Sequence, residues 1–157
     1  MKIPQVAALV VLLILAAAGK TSASDGLITK PSAYSTAVTL DRLEAALKER
    51  GYMIFARLDH AAAAASVGLK MPPATVLIFG NPRNGTAAFL QKPALAIDLP
   101  LKALVWEDAG GKVSIAYNSA EYVQGIIYPR HGLPTNSQQQ QVVESALAAA
   151  TDAAVKK

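Results

Sequence analysis

Two histidines and a few carboxylates are the residues of this chain with the chemistry for catalysis. His60 follows Asp59 directly, His131 lies in the segment YPRHGLP, and Asp98 and Glu107 lie between them. An imidazole can act as a general acid or base when a carboxylate orients it. One hypothesis is therefore an enzyme that uses His60 as acid or base, with Asp98 or Glu107 as its helper.

Structural roles compete with that hypothesis at each of these positions. Asp59 is placed to cap a helix that begins at His60, and adjacent side chains rarely point the same way. Asp98 precedes Leu99-Pro100 and suits a side-chain-to-backbone turn bond, while Glu107 suits a solvated turn. The set of catalytic groups is incomplete, so the sequence favours a protein that is not an enzyme.

The same two histidines are the candidates for a metal or haem site. His60 and His131 could hold a metal with nearby carboxylates, and either could ligate haem b. No short spacing such as H-E-x-x-H supports a zinc site. The absence of Cys excludes thiolate ligands, thiol catalysis and covalent c-type haem attachment. The sequence requires no cofactor, and a metal or haem b protein is an alternative.

The segment VLIFGNPRNGTAAFL (76–90) has the outline of a phosphate-binding loop between a strand and a helix. Gly80 and Gly85 have the spacing of the G-x-x-x-x-G-K-[ST] motif. However, Thr86 follows Gly85 directly, and the Lys that would reach the phosphates is missing. A nucleotide-binding loop is therefore not expected here.

A turn is the simpler interpretation of this loop. Asn81 fits before Pro82, whose ring presets φ, and Asn84 and Gly85 tolerate positive φ. A weak anion site is the alternative, formed by Arg83 and the short helix at Thr86.

The first 23 residues are expected to be a secretory signal peptide. Lys2 gives a short basic start, Val6 to Gly19 is uncharged and apolar, and small residues follow around Ala23. The apolar run is about 14 residues, shorter than the roughly 20 of a membrane-spanning helix. We predict cleavage near Ala23, a periplasmic or secreted protein, and no membrane contact beyond the signal peptide. An uncleaved anchor is the alternative.

The charge of the remaining chain argues against nucleic acid as a partner. Two of the 15 Lys and Arg residues, Lys2 and Lys20, lie in the leader, which leaves 13 basic against 11 acidic side chains. The chain has no basic run, and its few aromatic residues are not interleaved with cations. The mature part is about 130 residues, the size of one domain with a core of its own.

The order of the predicted elements defines the fold class. A strand (26–35) precedes a helix (36–51) in which Leu40, Leu43 and Leu47 recur at helical spacing before Gly51. Strands at 52–59 and 74–81 and a hairpin at 102–119 follow, with short helices at 60–68 and 86–91 and an extended connector at 92–101. A short helix (120–129) and a final helix after Asn136 or Ser137 close the chain.

These elements predict a single-domain α+β protein with a mainly antiparallel sheet and helices packed on one side. The order is β-α-β-β-β-β-α with short inserted helices, and the later strands have tight connections. The strand at 74–81 is apolar without alternation, which indicates cover on both faces or nearly so. We assign 26–134 to the α+β domain and 135–157 to a C-terminal Ala/Gln-rich helix.

Several stretches of the chain resemble the family called domain of unknown function 302. They are ARLDHAAAAASVGLKMPPATVLIFGNP, AIDLPLKALVWED, KVSIAYN and RHGL, within about Ser35 to Leu133. The resemblance implies a compact α+β fold of the kind seen in TATA-binding-protein-like domains, and a homodimer. It implies no activity, because none is established for the family.

Non-catalytic binding of a small molecule or a partner is the function that these residues favour. Polar residues lie at strand ends, where sites usually form, without a complete catalytic set. We expect a pocket between sheet and helices, lined by Phe79 and by the ligand-binding candidates His60, Asn81, Arg83 and Thr86. An enzyme, a metal or haem b protein, and a structural role as a homodimer are the alternatives.

Overall fold

The computed structural model describes residues 26–157, so the expected signal peptide lies outside the described residues. The strands are β1 (Leu27–Pro31), β2 (Met53–Asp59), β3 (Ala74–Gly80), β4 (Leu101–Glu107) and β5 (Val113–Asn118). The helices are α1 (Thr36–Glu49), α2 (His60–Ser66), α3 (Pro82–Gln91), α4 (Ala120–Tyr122), α5 (Tyr128–Arg130) and α6 (Ser137–Val155). A 3-10 segment (Pro93–Ile97) follows α3, and a π-helical segment (Val123–Ile127) joins α4 to α5.

The five strands form one antiparallel sheet in the order β1-β5-β4-β3-β2. The first two strands of the chain therefore form its two edges, and α1 carries the chain from one edge to the other. The predicted α+β class with an antiparallel sheet is confirmed.

One face of the sheet holds the main core beneath α1 and α6. Leu77 of β3, Val105 of β4 and Ile115 of β5 are fully buried there against Leu43 of α1 and Leu147 of α6. These three strand residues lie on one face because Thr75 pairs with Val105 and Val105 with Ile115, while side chains alternate along each strand. The leucine spacing of α1 therefore points at the core, as predicted.

The other face of the sheet, called here the open face, is also apolar. Val76, Ile78, Leu104 and Trp106 are only half-buried, and Leu58 of the edge strand β2 is 49% exposed. The apolar run of β3 predicted cover on both faces, but α1 and α6 both pack on the first face. Among residues 26–157, no helix is both long and apolar enough to cross a membrane.

The ends of α1 follow its sequence signals. The Ser35 hydroxyl accepts a hydrogen bond from the Val38 N–H, which makes Ser35 the N-cap. Gly51 follows the last turn with φ of +77°, the left-handed conformation expected at a helix end. Val38, near the start of α1, is 43% exposed.

The predicted turn at Asn81–Gly85 is wrong, because the structure has a helix there. Asn81 is the N-cap of α3 and accepts from the Arg83 N–H at 3.0 Å. Pro82 takes the first helical position, where its missing N–H costs nothing. Asn84 and Gly85 are helical, so neither has the positive φ that a turn would need. The connector at 92–101 is likewise not extended throughout, because Pro93–Ile97 forms a 3-10 turn.

A second, smaller core closes one end of the sheet. Leu95 of the 3-10 segment, Ile127 of the π-helical segment and Leu133 are buried together, with Phe89 of α3 packed against them. The helical segments that follow β3 and β5 therefore meet where both strands end. Helix α6 begins near them, capped by Asn136, and runs back along α1.

Candidate functional site

A cavity of about 330 Å³ lies at this end of the sheet, between the strand ends and the helical segments. Its aromatic walls come from Tyr52 before β2, Phe55 of β2, Phe89 of α3 and Tyr128 of α5. Other apolar walls come from Leu99 to Leu101, from Val123 and from Val143 of α6, and the polar ones are Asn81, Asn84, Gln124 and Gln139. Volumes of this order are typical of small-molecule sites.

Phe55 reaches the cavity because β2 contains a β-bulge. Ile54 pairs with Phe79 and Ala56 with Ile78, so Phe55 is the extra residue without a partner. Bulges often redirect a side chain next to a functional site. A Cβ on Gly80 would lie 3.1 Å from the Phe55 ring, so the glycine leaves room for that ring.

Gly85 has the same relation to a second aromatic ring. A Cβ at Gly85 would lie 3.4 Å from Cε2 of Phe89, one turn further along α3. The two glycines whose spacing resembled a phosphate loop therefore both border ring faces that line the cavity.

Gln124 is the most buried polar side chain in the cavity wall. It is 4% exposed and lies in the π-helical segment, a type of helix that is frequent at functional sites. Its Oε1 accepts the Asn136 N–H at 2.9 Å, which ties the α6 N-cap residue to the cavity wall.

The two tyrosines of the cavity stay protonated across the neutral range. Burial raises the pKa of Tyr128, and a hydrogen bond with Gln124 acts in the opposite direction. Burial also raises the pKa of Tyr52, whose ring packs edge-on against Phe79 with centroids 5.6 Å apart. Both phenols are therefore neutral groups that can donate a hydrogen bond.

Within residues 26–157, none of the side chains that line this cavity is charged. A buried ion without a partner is costly, so the lining suits an uncharged molecule. The site offers apolar surface and a few neutral polar groups, but no general base and no ligand set for a metal.

Asp98 and His131, two of the predicted candidates, do meet in the structure. His131 Nε2 lies 2.6 Å from Asp98 Oδ2, and Arg130 Nη1 donates to Asp98 Oδ1 at 3.1 Å. The hydrogen bond with His131 and the charge of Arg130 lower the pKa of Asp98. The expected turn bond from the Asp98 side chain is therefore wrong, because that carboxylate bridges to the end of α5.

This cluster lies beside the cavity rather than in it. Asp98 lines a smaller cavity of about 170 Å³ with Lys102 and Asn118, whereas His131 lines neither. The His131 side chain is only 9% exposed. The pair holds α5 against the segment before β4, and both of these also contribute walls to the larger cavity.

His60 lies at the opposite end of the sheet from the cavity. His60 follows Asp59, which pairs with Thr75 near the start of β3. Asn81, which lines the cavity, follows Gly80 at the other end of β3, and Gly80 pairs with Met53. The seven residues of β2 separate the two ends by roughly 20 Å. The expected pocket that combined His60 with Phe79 and the glycine loop is therefore not formed, and Phe79 itself is buried in the main core at 2% exposure.

The surroundings of His60 match the structural alternative. Asp59 caps α2 by accepting from the Ala62 N–H at 3.0 Å, and His60 is an exposed first residue of that helix. Asp98 is at the far end of the sheet, and Glu107 ends β4, two strands away from β2. Within the described part of the chain, no three His, Asp or Glu side chains are grouped to hold a metal.

Of the other predicted ligand-binding residues, only Asn81 lines the cavity. Arg83 and Thr86 are exposed on α3 and do not contribute to it. Sequence reasoning missed Phe55, Gln124 and Tyr128, since a bulge and a π-helical segment have no clear local signature. The one available signal was the helical segment AEYVQGIIYP, whose polar Gln lies among apolar residues.

Comparisons with known proteins decide the family. The model described as "Domain of unknown function DUF302" matches residues 28–154. The chain belongs to the DUF302 family. A similar solved structure is the uncharacterized conserved protein DUF302 from Bacillus stearothermophilus, with a TM-score of 0.68 and 20% sequence identity. That likeness covers 83% of this chain and 99% of the other, and it supports the DUF302 fold alone.

Curated relatives carry the DUF302-like sequence within longer chains. A "Fluoride-specific ion channel FluC 1" from Brucella suis biovar 1 (strain 1330) is 41% identical over 112 residues, covering 71% of this chain and 42% of the relative. A "Fluoride-specific ion channel FluC 2" from Brucella melitensis biotype 1 is also 41% identical, covering 40% of that relative. The chain therefore spans about two fifths of the length of these relatives.

Proposed function

We propose that this DUF302 chain is a non-catalytic small-molecule-binding protein whose ligand occupies the cavity at the end of the sheet. The observation that carries the proposal is the lining of that cavity, which combines four aromatic side chains with the buried side chain of Gln124. Apolar walls with a few placed polar groups are the usual composition of a ligand site.

Binding rather than catalysis is the better fit to these residues. The imidazole with a carboxylate partner, His131, does not line the cavity, and His60 is remote from it. Conduction or binding of fluoride, suggested by the names of the relatives, fits poorly. The hydration that a small anion loses on burial is compensated best by a cation, and the lining described by the structure has no cationic side chain.

Two adjacent valines of α6 provide a test of the proposal. Val143 lines the cavity, whereas Val142 is 63% exposed beside it. Val143→Phe should fill part of the cavity and weaken binding of small neutral molecules at least about fivefold, as expected when apolar contacts are lost. Val142→Phe should leave binding unchanged.

The measurement is saturation-transfer NMR and calorimetric titration of a panel of neutral fragments. Circular dichroism would verify that both variants fold. If no fragment binds the wild type, or if the two variants bind alike, the cavity is not a ligand site.

A second candidate function is assembly of two copies through the open face. Five strands spaced by about 4.8 Å, each rising about 3.3 Å per residue, give this face a footprint on the order of 400 Å². Helix α2 buries no residue, and Val67 and Leu69 beyond it are 71% and 64% exposed. The footprint of the open face is about half of the roughly 800 Å² per partner that a standard interface buries, so the interface would need further apolar surface.

A second copy is the occupant that we propose for the open face. Two sheets with apolar faces can stack about 10 Å apart, as in sandwich folds. Leu58→Asp would place a charge in that interface, and sedimentation should then show a dimer converted to a monomer. Val142→Asp on α6 is the control and should remain dimeric. A monomeric wild type at micromolar concentration contradicts this proposal, as would a dimer that Leu58→Asp leaves intact.

We also propose that the protein acts in the periplasm or outside the cell. The support is the uncharged apolar run from Val6 to Gly19 behind Lys2. Fractionation and intact mass of the full-length chain test this proposal. A product that begins near Ser24 in the periplasmic fraction is expected, and an uncut chain in the cytoplasm contradicts it.

A further inference from the structure

The buried amide of Gln124 and the two tyrosines of the cavity can offer hydrogen-bond donors to a ligand. Gln124 Oε1 already accepts from the Asn136 N–H, and the Gln124 side chain is also hydrogen-bonded with Tyr128, which leaves one amide N–H of this buried side chain to offer. Tyr128 and Tyr52 are neutral phenols with one O–H donor each. A molecule that leaves such donors unpaired loses stability, so the best ligand carries an acceptor.

The size of the cavity limits the ligand to a small molecule. A cavity of about 150 Å³ holds a single benzene ring. The volume here, about 330 Å³, is roughly twice that and matches one or two rings with a small substituent.

The aromatic walls favour a ring over a flexible chain. Phe55 lies against Gly80, where an added Cβ would come within 3.1 Å of its ring, and Phe89 lies beside Gly85 in the cavity wall. Aromatic pairs in stacked or edge-to-face contact gain about 0.5–1.5 kcal/mol beyond their area.

Resting on the proposed function, we propose that the ligand is a neutral aromatic molecule of one or two rings that carries an uncharged oxygen acceptor. The ring lies among Phe55, Phe89 and Tyr52, and the oxygen accepts from the Tyr128 O–H. Carbonyl and ether oxygens have this chemistry, whereas carboxylates and phosphates do not, because the lining has no cation.

Four small probes test this inference by NMR titration of the full chain. 2-Acetylnaphthalene has the ring and the acceptor, naphthalene lacks the acceptor, 2-naphthoate is an anion, and decan-2-one lacks the ring. We expect 2-acetylnaphthalene to bind about fivefold more tightly than naphthalene, the effect of one net hydrogen bond. It should bind at least about tenfold more tightly than 2-naphthoate, whose charge would be buried without a partner.

Two tyrosine-to-phenylalanine variants identify the hydroxyl that donates to the oxygen of the ligand. Tyr128→Phe keeps the ring and removes the donor, so it should abolish the preference for the ketone over naphthalene. Tyr34→Phe makes the same chemical change near the start of α1, away from the cavity, and should preserve that preference. Intermolecular NOEs from the acetyl methyl group to the Tyr128 ring are expected in the wild type and do not depend on a variant folding.

The outcomes separate this inference from the proposed function. If none of the four probes binds, the proposed function fails. If 2-naphthoate or decan-2-one binds as tightly as the ketone, or if the NOEs are absent, the cavity is a ligand site of another class and this inference fails.

Discussion

Two buried threonines in the first helix differ in what their hydroxyls contact. Thr36 is 6% exposed, and its Oγ1 has no hydrogen-bond partner within residues 26–157. Thr39 is fully buried, and its hydroxyl lies 2.7 Å from Ser32 Oγ and donates to the Ser35 carbonyl at 2.8 Å. An unpaired buried hydroxyl is a cost to the folded state, whereas a paired one contributes to it.

Replacing each threonine with valine should therefore change stability in opposite directions. We expect Thr36→Val to raise the free energy of unfolding by up to about 1 kcal/mol, and Thr39→Val to lower it by about 1–3 kcal/mol. Urea denaturation of the two variants measures both. Equal losses in both variants would mean that the Thr36 hydroxyl has a partner, such as a bound water.

The role of a single side chain was predictable from the sequence only where its hydrogen-bond partner is close to it along the chain. Asp59 as the cap of α2 depends on a residue three positions away, and the sequence indicated it. The Asp98–His131 contact joins residues 33 positions apart, and only the packing of two helical segments brings them together. The spacing of residues along the sequence does not predict such a contact.

At the start of α3, the same residues are typical of a turn and of the beginning of a helix. Asn, Pro and Gly are turn residues, but Asn81 and Pro82 also match the cap and first position of a helix. Gly85 then lies in the helix interior, where glycine is less favourable than alanine.

Two glycine-to-alanine variants distinguish Gly85, which lies inside a helix, from Gly51, whose backbone conformation requires glycine. Gly85→Ala should raise stability by about 0.5–1 kcal/mol, because the new Cβ would make an ordinary contact 3.4 Å from Phe89. Gly51→Ala should lower it by about 1–2 kcal/mol, because Gly51 has φ of +77°. Thermal melts of both variants test this, and stabilisation by Gly51→Ala would contradict the description of the α1 terminus.

Elements with a strong period were the predictable part of the fold. The leucine spacing of α1 gave both its type and its place in the core, whereas the apolar run of β3 indicated a central strand but not that one of its faces lacks a helix. The bulge at Phe55 and the π-helical segment were not predictable, because each is set by the register of its neighbours. The cavity depends on these two irregularities, so the sequence indicated the fold better than the site.

Across the whole molecule, an ion pair connects the edge strand β1 to the last helix. Asp152 accepts from Lys30 and Lys156, both at 2.7 Å, and these two cations lower the pKa of Asp152 to about 2. The ordinary value is 3.8. Because the folded-state pKa is depressed, the pair contributes stability above pH 3.8, and that contribution is lost as the pH falls through about 2.

Asp152→Asn should therefore differ from the wild type only above this window. The difference in the free energy of unfolding is expected to be constant at neutral pH, to shrink between pH 3.8 and about 2, and then to vanish. It should be small, because the Asp152 side chain is 41% exposed. Urea titrations at several pH values measure it, with Lys30→Met as a control that removes a cation instead. A difference that is undiminished at pH 2 would contradict the assignment.

The pairing of β1 with β5 also decides when the sheet can form. Leu27 of β1 pairs with Asn118 of β5. During synthesis, β1 therefore cannot pair until β5 has been made, much later in the chain. Contacts this distant along the chain are formed slowly, since the intervening loop must close first. The nascent chain therefore lacks a finished sheet until most of it has left the ribosome.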